Sequence, residues 1–176
     1  MSLQVGPIRY QVDTSEIEQL AKDVPKAQRA IFRAMRRPME QSLSHLATQV
    51  RALTPVGVSG DLRRGINTQI DGVAPGLVGE VLPNVLYGDP VEFGIPAGVF
   101  PPPDALQLWV KRKLDVPDEK VEQVAFLVAR KIFRKGTKPR RMFQQGLLNG
   151  FPTVERIWDK FTREAAQIAA RVMDQK

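Results

Sequence analysis

One histidine and no cysteine leave this chain a narrow repertoire of chemistry. Composition alone removes thiolate nucleophiles, disulfides and cysteine or multi-histidine zinc sites. His45 follows Ser44, but neighbouring helical residues point about 100° apart and cannot form a nucleophile-base pair unaided. The ordinary reading of His45 is a helix residue with a routine hydrogen bond. Gly57-Val58-Ser59-Gly60 has only a superficial likeness to a nucleophile elbow, since the second Gly comes one residue early and no strand precedes it. Gly136-Thr137-Lys138 reverses the Lys and Thr of a phosphate loop and lacks its Gly spacing. The carboxylate pairs Glu16/Glu18 and Asp118/Glu119 fall where first turns of helices favour acids anyway. Glu92, between Val91 and Phe93, is different. A carboxylate in an apolar setting calls for a cationic partner, and Arg63 or Arg64 is expected to supply it in a structural ion pair. No convergent acid/base set, cofactor site or metal site can be named, so the sequence points away from an enzyme.

Bulk properties agree with a folded, non-catalytic chain. Its 176 residues suit one domain, 1–176, with an appendage inside it. The apolar fraction of 43% is ordinary for a globular protein. Lys+Arg 26 against Asp+Glu 19 gives +7, which suits acidic partners or nucleic acid, though such a charge also serves solubility. No apolar run is long enough for a membrane helix, and none follows the first Met as a signal peptide would require. The expectation is a protein without membrane association, in a reducing compartment.

Periodicity then places the elements. Ile8-Arg9-Tyr10-Gln11-Val12 alternates like a short strand, and Asp13, Thr14 and Ser15 can cap a helix running to about Asp23. Ile31, Met35, Met39, Leu43, Leu46, Val50 and Leu53 draw one stripe along a long helix, which Pro38 should kink or split. Lys26, Arg29, Arg33, Arg36 and Arg37 form a basic band, read first as a solvated face. Ile66, Thr68 and Ile70, then Val78, Glu80 and Leu82, alternate about a turn-like Asp71–Gly76 and predict an antiparallel hairpin. Val85 to Phe93 reads as a third extended segment, confined by Pro90 to an edge or bulge.

Further on, Phe100 to Pro103 should be extended and rigid, with Asp104 capping a helix that carries Leu106, Trp109, Val110 and Leu114. A second helix from about Asp115 presents Val121, Val124, Ala125, Val128 and Ile132 and ends at Gly136 in an αL cap. These two make a helical hairpin inserted at 101–135. Two further helical pieces, Arg140 to Asn149 and Thr153 to about Met173, are separated by Gly150 and Pro152. The fold class is therefore α+β: a small antiparallel sheet packed with a long N-terminal helix, an inserted helical hairpin and a C-terminal helix.

Within this order, Thr54-Pro55 followed by Ser59-Gly60-Asp61-Leu62-Arg63-Arg64-Gly65-Ile66, a hairpin, and then Tyr87-Gly88-Asp89-Pro90-Val91-Glu92-Phe93-Gly94 resembles the tail-completion or head-tail joining family of long-tailed bacteriophages. Trp109-Val110-Lys111-Arg112-Lys113 and Lys135-Gly136-Thr137-Lys138-Pro139 before Met142-Phe143 resemble a subfamily with an inserted helical hairpin. The likeness runs from about Ser15 onward. Val58-Ser59, Gly65 and Ile95 depart from the family pattern.

The resemblance implies a structural virion protein, assembled in the host cytoplasm, that completes the tail or joins it to the head. It implies a homo-oligomeric ring of six copies in the neck, with other neck and tail proteins as partners and DNA passing through its channel. No cofactor is implied. A ring needs two different patches meeting head to tail. The candidates are the hairpin Pro101 to Lys135 and a sheet edge at Tyr87 to Phe93, with Arg63, Arg64, Tyr87, Glu92, Phe93, Trp109 and Phe143 as contact residues. The alternative reading is a basic DNA-binding protein, motivated by the net charge and the arginine band, although few aromatics are present for base stacking.

Overall fold

The stripe from Ile31 to Val50 does become one face of one helix. In the computed structural model, which describes residues 8–11, 25–72 and 76–174, helix α1 runs unbroken over Pro25–Leu53. Ala27, Ile31, Met35, Met39, Leu43, Leu46, Ala47 and Val50 are all buried along it. Fully burying an Ile, Met, Leu or Val side chain contributes about 1.5–3 kcal/mol, so the six on this stripe together exceed the cost of about 3 kcal/mol for a proline inside a helix. Pro38 therefore stands inside the helix and does not split it. Ser42, fully buried one turn later, donates its hydroxyl to the Pro38 carbonyl at 2.8 Å.

The remaining elements are β1 (Ile8–Gln11), α2 (Asp61–Arg64), β2 (Ile66–Asp71), β3 (Val78–Pro83), α3 (Gly88–Phe93), α4 (Asp104–Lys113), α5 (Asp118–Lys135) and α6 (Met142–Asp174). The fold is α+β. The strands form a sheet in the order β1-β3-β2, with β1 antiparallel to β3 in the register Ile8 opposite Val81 and Gln11 opposite Val78. The helix expected before Asp23 lies outside the described residues, as does part of the turn between β2 and β3.

Where the sequence suggested one domain with an insertion at 101–135, the chain divides into two compact units. One comprises the described residues of Met1–Ala52, Ile66–Leu82 and Phe143–Lys176; the other comprises Leu53–Gly65 and Pro83–Met142. The inserted hairpin thus belongs to a larger body.

In the first unit, β3 turns Gly79 and Val81 inward, leaving Val78 and Leu82 half-buried. Gly79 permits that choice. A Cβ there would stand 2.6 Å from Met39 Sδ and 3.0 Å from the Leu43 methyls, so the strand lies closer to α1 than a larger residue allows. The end of α1 is tied to the sheet by Arg51, whose guanidinium donates to the Ile66 carbonyl.

The C-terminal helix departs from expectation in one respect: Gly150 and Pro152 do not separate two pieces. α6 continues through both. A Cβ on Gly146 would lie 2.7 Å from Val50 Cγ2 and 3.0 Å from the Val50 backbone nitrogen, and one on Gly150 would lie 2.7 Å from Leu46 Cδ2. The glycines are there so that two helices can approach closely, and that contact outweighs their low helix propensity. Val154, Trp158, Phe161 and Ala165 continue the buried stripe of α6.

In the second unit, α4 and α5 form the expected hairpin around Val110, Val121 and Ala125, with Leu106, Val116, Val124 and Val128 packed against them. Asp104 is the first helical residue and not the cap; its carboxylate accepts a hydrogen bond from Gln107 Nε2 at 2.9 Å. The proline run does not stay extended to its end, because Pro103 is already helical and its carbonyl accepts from Leu106 N. Gly136 ends α5 with positive φ, 66°, but with ψ −171° and hence not in αL.

Candidate subunit-contact surface

The segment Thr54 to Gly65 is built around one turn of helix. Gly60 adopts φ 75° and ψ 6°, a left-handed conformation that costs glycine little, and α2 begins immediately after it. Arg64 N donates to the Gly60 carbonyl at 3.0 Å and Gly65 N to the Asp61 carbonyl at 2.7 Å. Gly65 fits that turn: a Cβ there would stand 2.9 Å from the Asp61 carbonyl oxygen. Leu62 is buried and anchors the turn, while Thr54 is buried at its start.

The two arginines take separate paths. Arg64 Nη2 pairs with Asp61 Oδ1 at 2.6 Å, not with Glu92 as expected for one of the two. The Asp61 carboxyl is held below the usual carboxylate range, first by the Ser59 hydroxyl that donates to it, then by Arg64 and more distantly by Arg112. Arg63 is half-buried.

Arg112 shows what the tertiary structure adds. Lys111, Arg112 and Lys113 at the end of α4 face Gly57 and Val58 across a cleft of about 540 Å³, closed by Asp115 and Val116. Two segments far apart in sequence, each singled out for its composition, are thus brought together. Lys111 is paired with Asp118 at 2.6 Å.

Gly88–Phe93 is a short helix with Tyr87 at its N-cap, which corrects the extended edge segment expected over Val85 to Phe93. Pro90 sits in its first turn, where the N–H would have no partner anyway, and Asp89 complements the dipole there. Glu92 is buried and Tyr87 and Phe93 are exposed. The carbonyls of Val91 and Glu92 accept from Arg140 N and Arg141 N, each at 3.0 Å. Ile95 and Thr137 exchange two bonds: Thr137 N donates to the Ile95 carbonyl and Ile95 N to Thr137 Oγ1, both at 2.8 Å. Gly94 and Gly136, both at positive φ, allow this close approach. The Val-Glu-Phe-Gly segment and the Gly-Thr-Lys-Pro segment are therefore partners, a relationship invisible in their separate positions.

Among the hairpin's mostly charged outward side chains stands a group of exposed apolar ones. Phe100, Phe126 and Phe133 are 43%, 49% and 44% exposed, and the Phe100 ring lies 5.8 Å and 6.2 Å from the other two. Leu108, Trp109, Leu114 and Leu127 are exposed as well. The phenylalanines escaped the sequence reading, although Phe126 and Phe133, seven residues apart and off the buried stripe of α5, carried the signal. Phe143 is only 5% exposed, so it is withdrawn from the surface set.

His45 is half-buried, and its Nε2 has no hydrogen-bond partner among the described residues, contrary to the routine bond expected. Among those residues no three His, Asp or Glu side chains gather as metal ligands, and no helix is long and apolar enough to cross a membrane. No protein-family model, curated protein or solved structure matches this chain.

Proposed function

We propose that this chain is a non-enzymatic structural subunit of a tailed-phage virion, one that completes the tail or joins it to the head as part of a ring in the neck. The observation that carries the reading is the exposed aromatic group Phe100, Phe126 and Phe133 on a hairpin whose inner face is already closed on Val110, Val121 and Ala125. A hairpin that has satisfied its own core has no internal use for that outer surface. Aromatic side chains dominate interface cores, and each contributes about 1.5–3 kcal/mol on full burial.

The order of the Thr54–Ile66 and Tyr87–Gly94 segments supports the phage assignment. In a ring of six, the hairpin of one copy meets a different patch on the next, a contact that repeats until it closes. Leu86, Tyr87 and Phe93, exposed around α3, are the second patch in place of the expected sheet edge. Assembly takes place in the host cytoplasm, and the neighbours are other neck and tail proteins.

Electron micrographs of virions decorated with antibody against this chain test the location. Label at the neck or upper tail is expected. Virions that lack the chain altogether, yet have joined heads and tails, would overturn the assignment.

A further inference from the structure

The arginine band on α1 does not face solvent uniformly. Arg36 pairs with Glu40 at 3.1 Å, whereas Arg33 and Arg37 border a groove of about 610 Å³ whose other wall is α6. Arg156 and Lys160 line that opposite wall. Each wall thus carries two cations four residues apart, a spacing that puts like charges side by side and weakens an isolated helix. The groove contains one carboxylate, Glu164, already engaged by Lys160 at 3.8 Å. Arg33 and Arg37 have no carboxylate partner among the described residues. The floor is apolar: Pro38 and Phe161 are buried, and Ile157 and Ile168 are half-buried.

We infer that this groove is a docking site for an acidic amphipathic helix of a partner protein. From Thr153 to Ile168 the wall extends about 22 Å, the length of a helix of about 15 residues. Such a helix sets apolar side chains on Ile157, Phe161 and Ile168 and its flanking carboxylates, also one turn apart, against the two pairs of cations. A DNA duplex would meet the same four cations but would leave the apolar floor unused, and the floor decides between them. The groove lies wholly within the first unit, and its occupancy does not depend on ring formation.

The test is fluorescence anisotropy on the full chain with a labelled synthetic peptide of about 16 residues, carrying Leu at helical i, i+3, i+4 and i+7 positions and Glu beside them. Saturable binding with a Kd of about 1–50 µM is expected, weakened about tenfold or more by Arg33→Glu/Arg37→Glu and, independently, by Arg156→Glu/Lys160→Glu. Both variants alter exposed residues, and unchanged melting temperatures confirm that the fold survives. A scrambled peptide of the same composition should bind about tenfold more weakly. Equal binding of the scrambled peptide, indifference to both variants or no saturation overturns the site. A duplex of about 20 base pairs that binds more tightly than the peptide and is lost in the same variants overturns it in favour of nucleic acid.

Discussion

Arg64 folds back over one turn of helix to meet Asp61, Nη2 to Oδ1 at 2.6 Å, and in doing so brings its guanidinium over Gly60, where a Cβ would lie 2.9 Å from Nη1. One side chain thus closes the turn and constrains the residue that starts it. The pair is exposed, so its worth lies in the shape of the turn more than in Coulomb energy.

The titration of Asp61 follows. Its folded carboxyl is depressed by the Ser59 hydroxyl and by Arg64, so its stabilising contribution is present above the unfolded carboxylate range, near pH 4, and is lost as pH falls through the lower folded value. The difference in melting temperature between the native chain and Asp61→Asn should therefore be present at pH 6 and close towards pH 3. A difference independent of pH would sink this account.

Gly60→Ala should destabilise by about 1–2 kcal/mol, because a left-handed φ burdens an L-residue and the new methyl displaces the Arg64 guanidinium. Urea denaturation measures it. Gly57, also at positive φ but with open space around it, is the control: its alanine variant carries only the backbone cost.

At Gly146 two effects oppose each other. Alanine improves helix propensity by about 1 kcal/mol, but its methyl would press on the Val50 backbone, which cannot rotate aside as a side chain does. Overpacking costs about 1–3 kcal/mol, so Gly146→Ala should lower the melting temperature. A raised melting temperature would show that α1 and α6 are not held at this distance.

The ring reading predicts that Trp109→Glu combined with Phe126→Glu, at residues 40% and 49% exposed and outside the buried face of the hairpin, keeps the helical circular dichroism and converts the oligomer to monomer in mass photometry. An oligomer that persists would move the contact away from the hairpin.

Much of the molecule was legible from periodicity, for a physical reason: a helix or strand that buries one face must repeat apolar residues at its own period. That is why α1 and the α4-α5 hairpin stand where the pattern puts them; β2 and β3 also stand in their expected places, but β3 buries Gly79 and Val81 and not the alternate Val78 and Leu82. Local signals erred where one residue serves two structures. Pro90 fits the first turn of a helix as well as a bulge in a strand, and the pairing of Val91 and Glu92 with Arg140 and Arg141 accompanies the helical outcome. Gly150 and Pro152 look like a break, but close packing of α6 on α1 carries the helix through them.

Composition by itself determined that no thiol or multi-histidine chemistry is open to this chain, and the apolar spacing determined which faces of its long helices are buried. Only the tertiary structure decided the rest, because it depends on distances between residues remote in sequence. It set Lys111 to Lys113 across from Gly57 and Val58, joined Ile95 to Thr137, and turned Gly79 and Val81 into the core. It also divided the arginine band, giving Arg36 to Glu40 and leaving Arg33 and Arg37 on a groove that α6 completes.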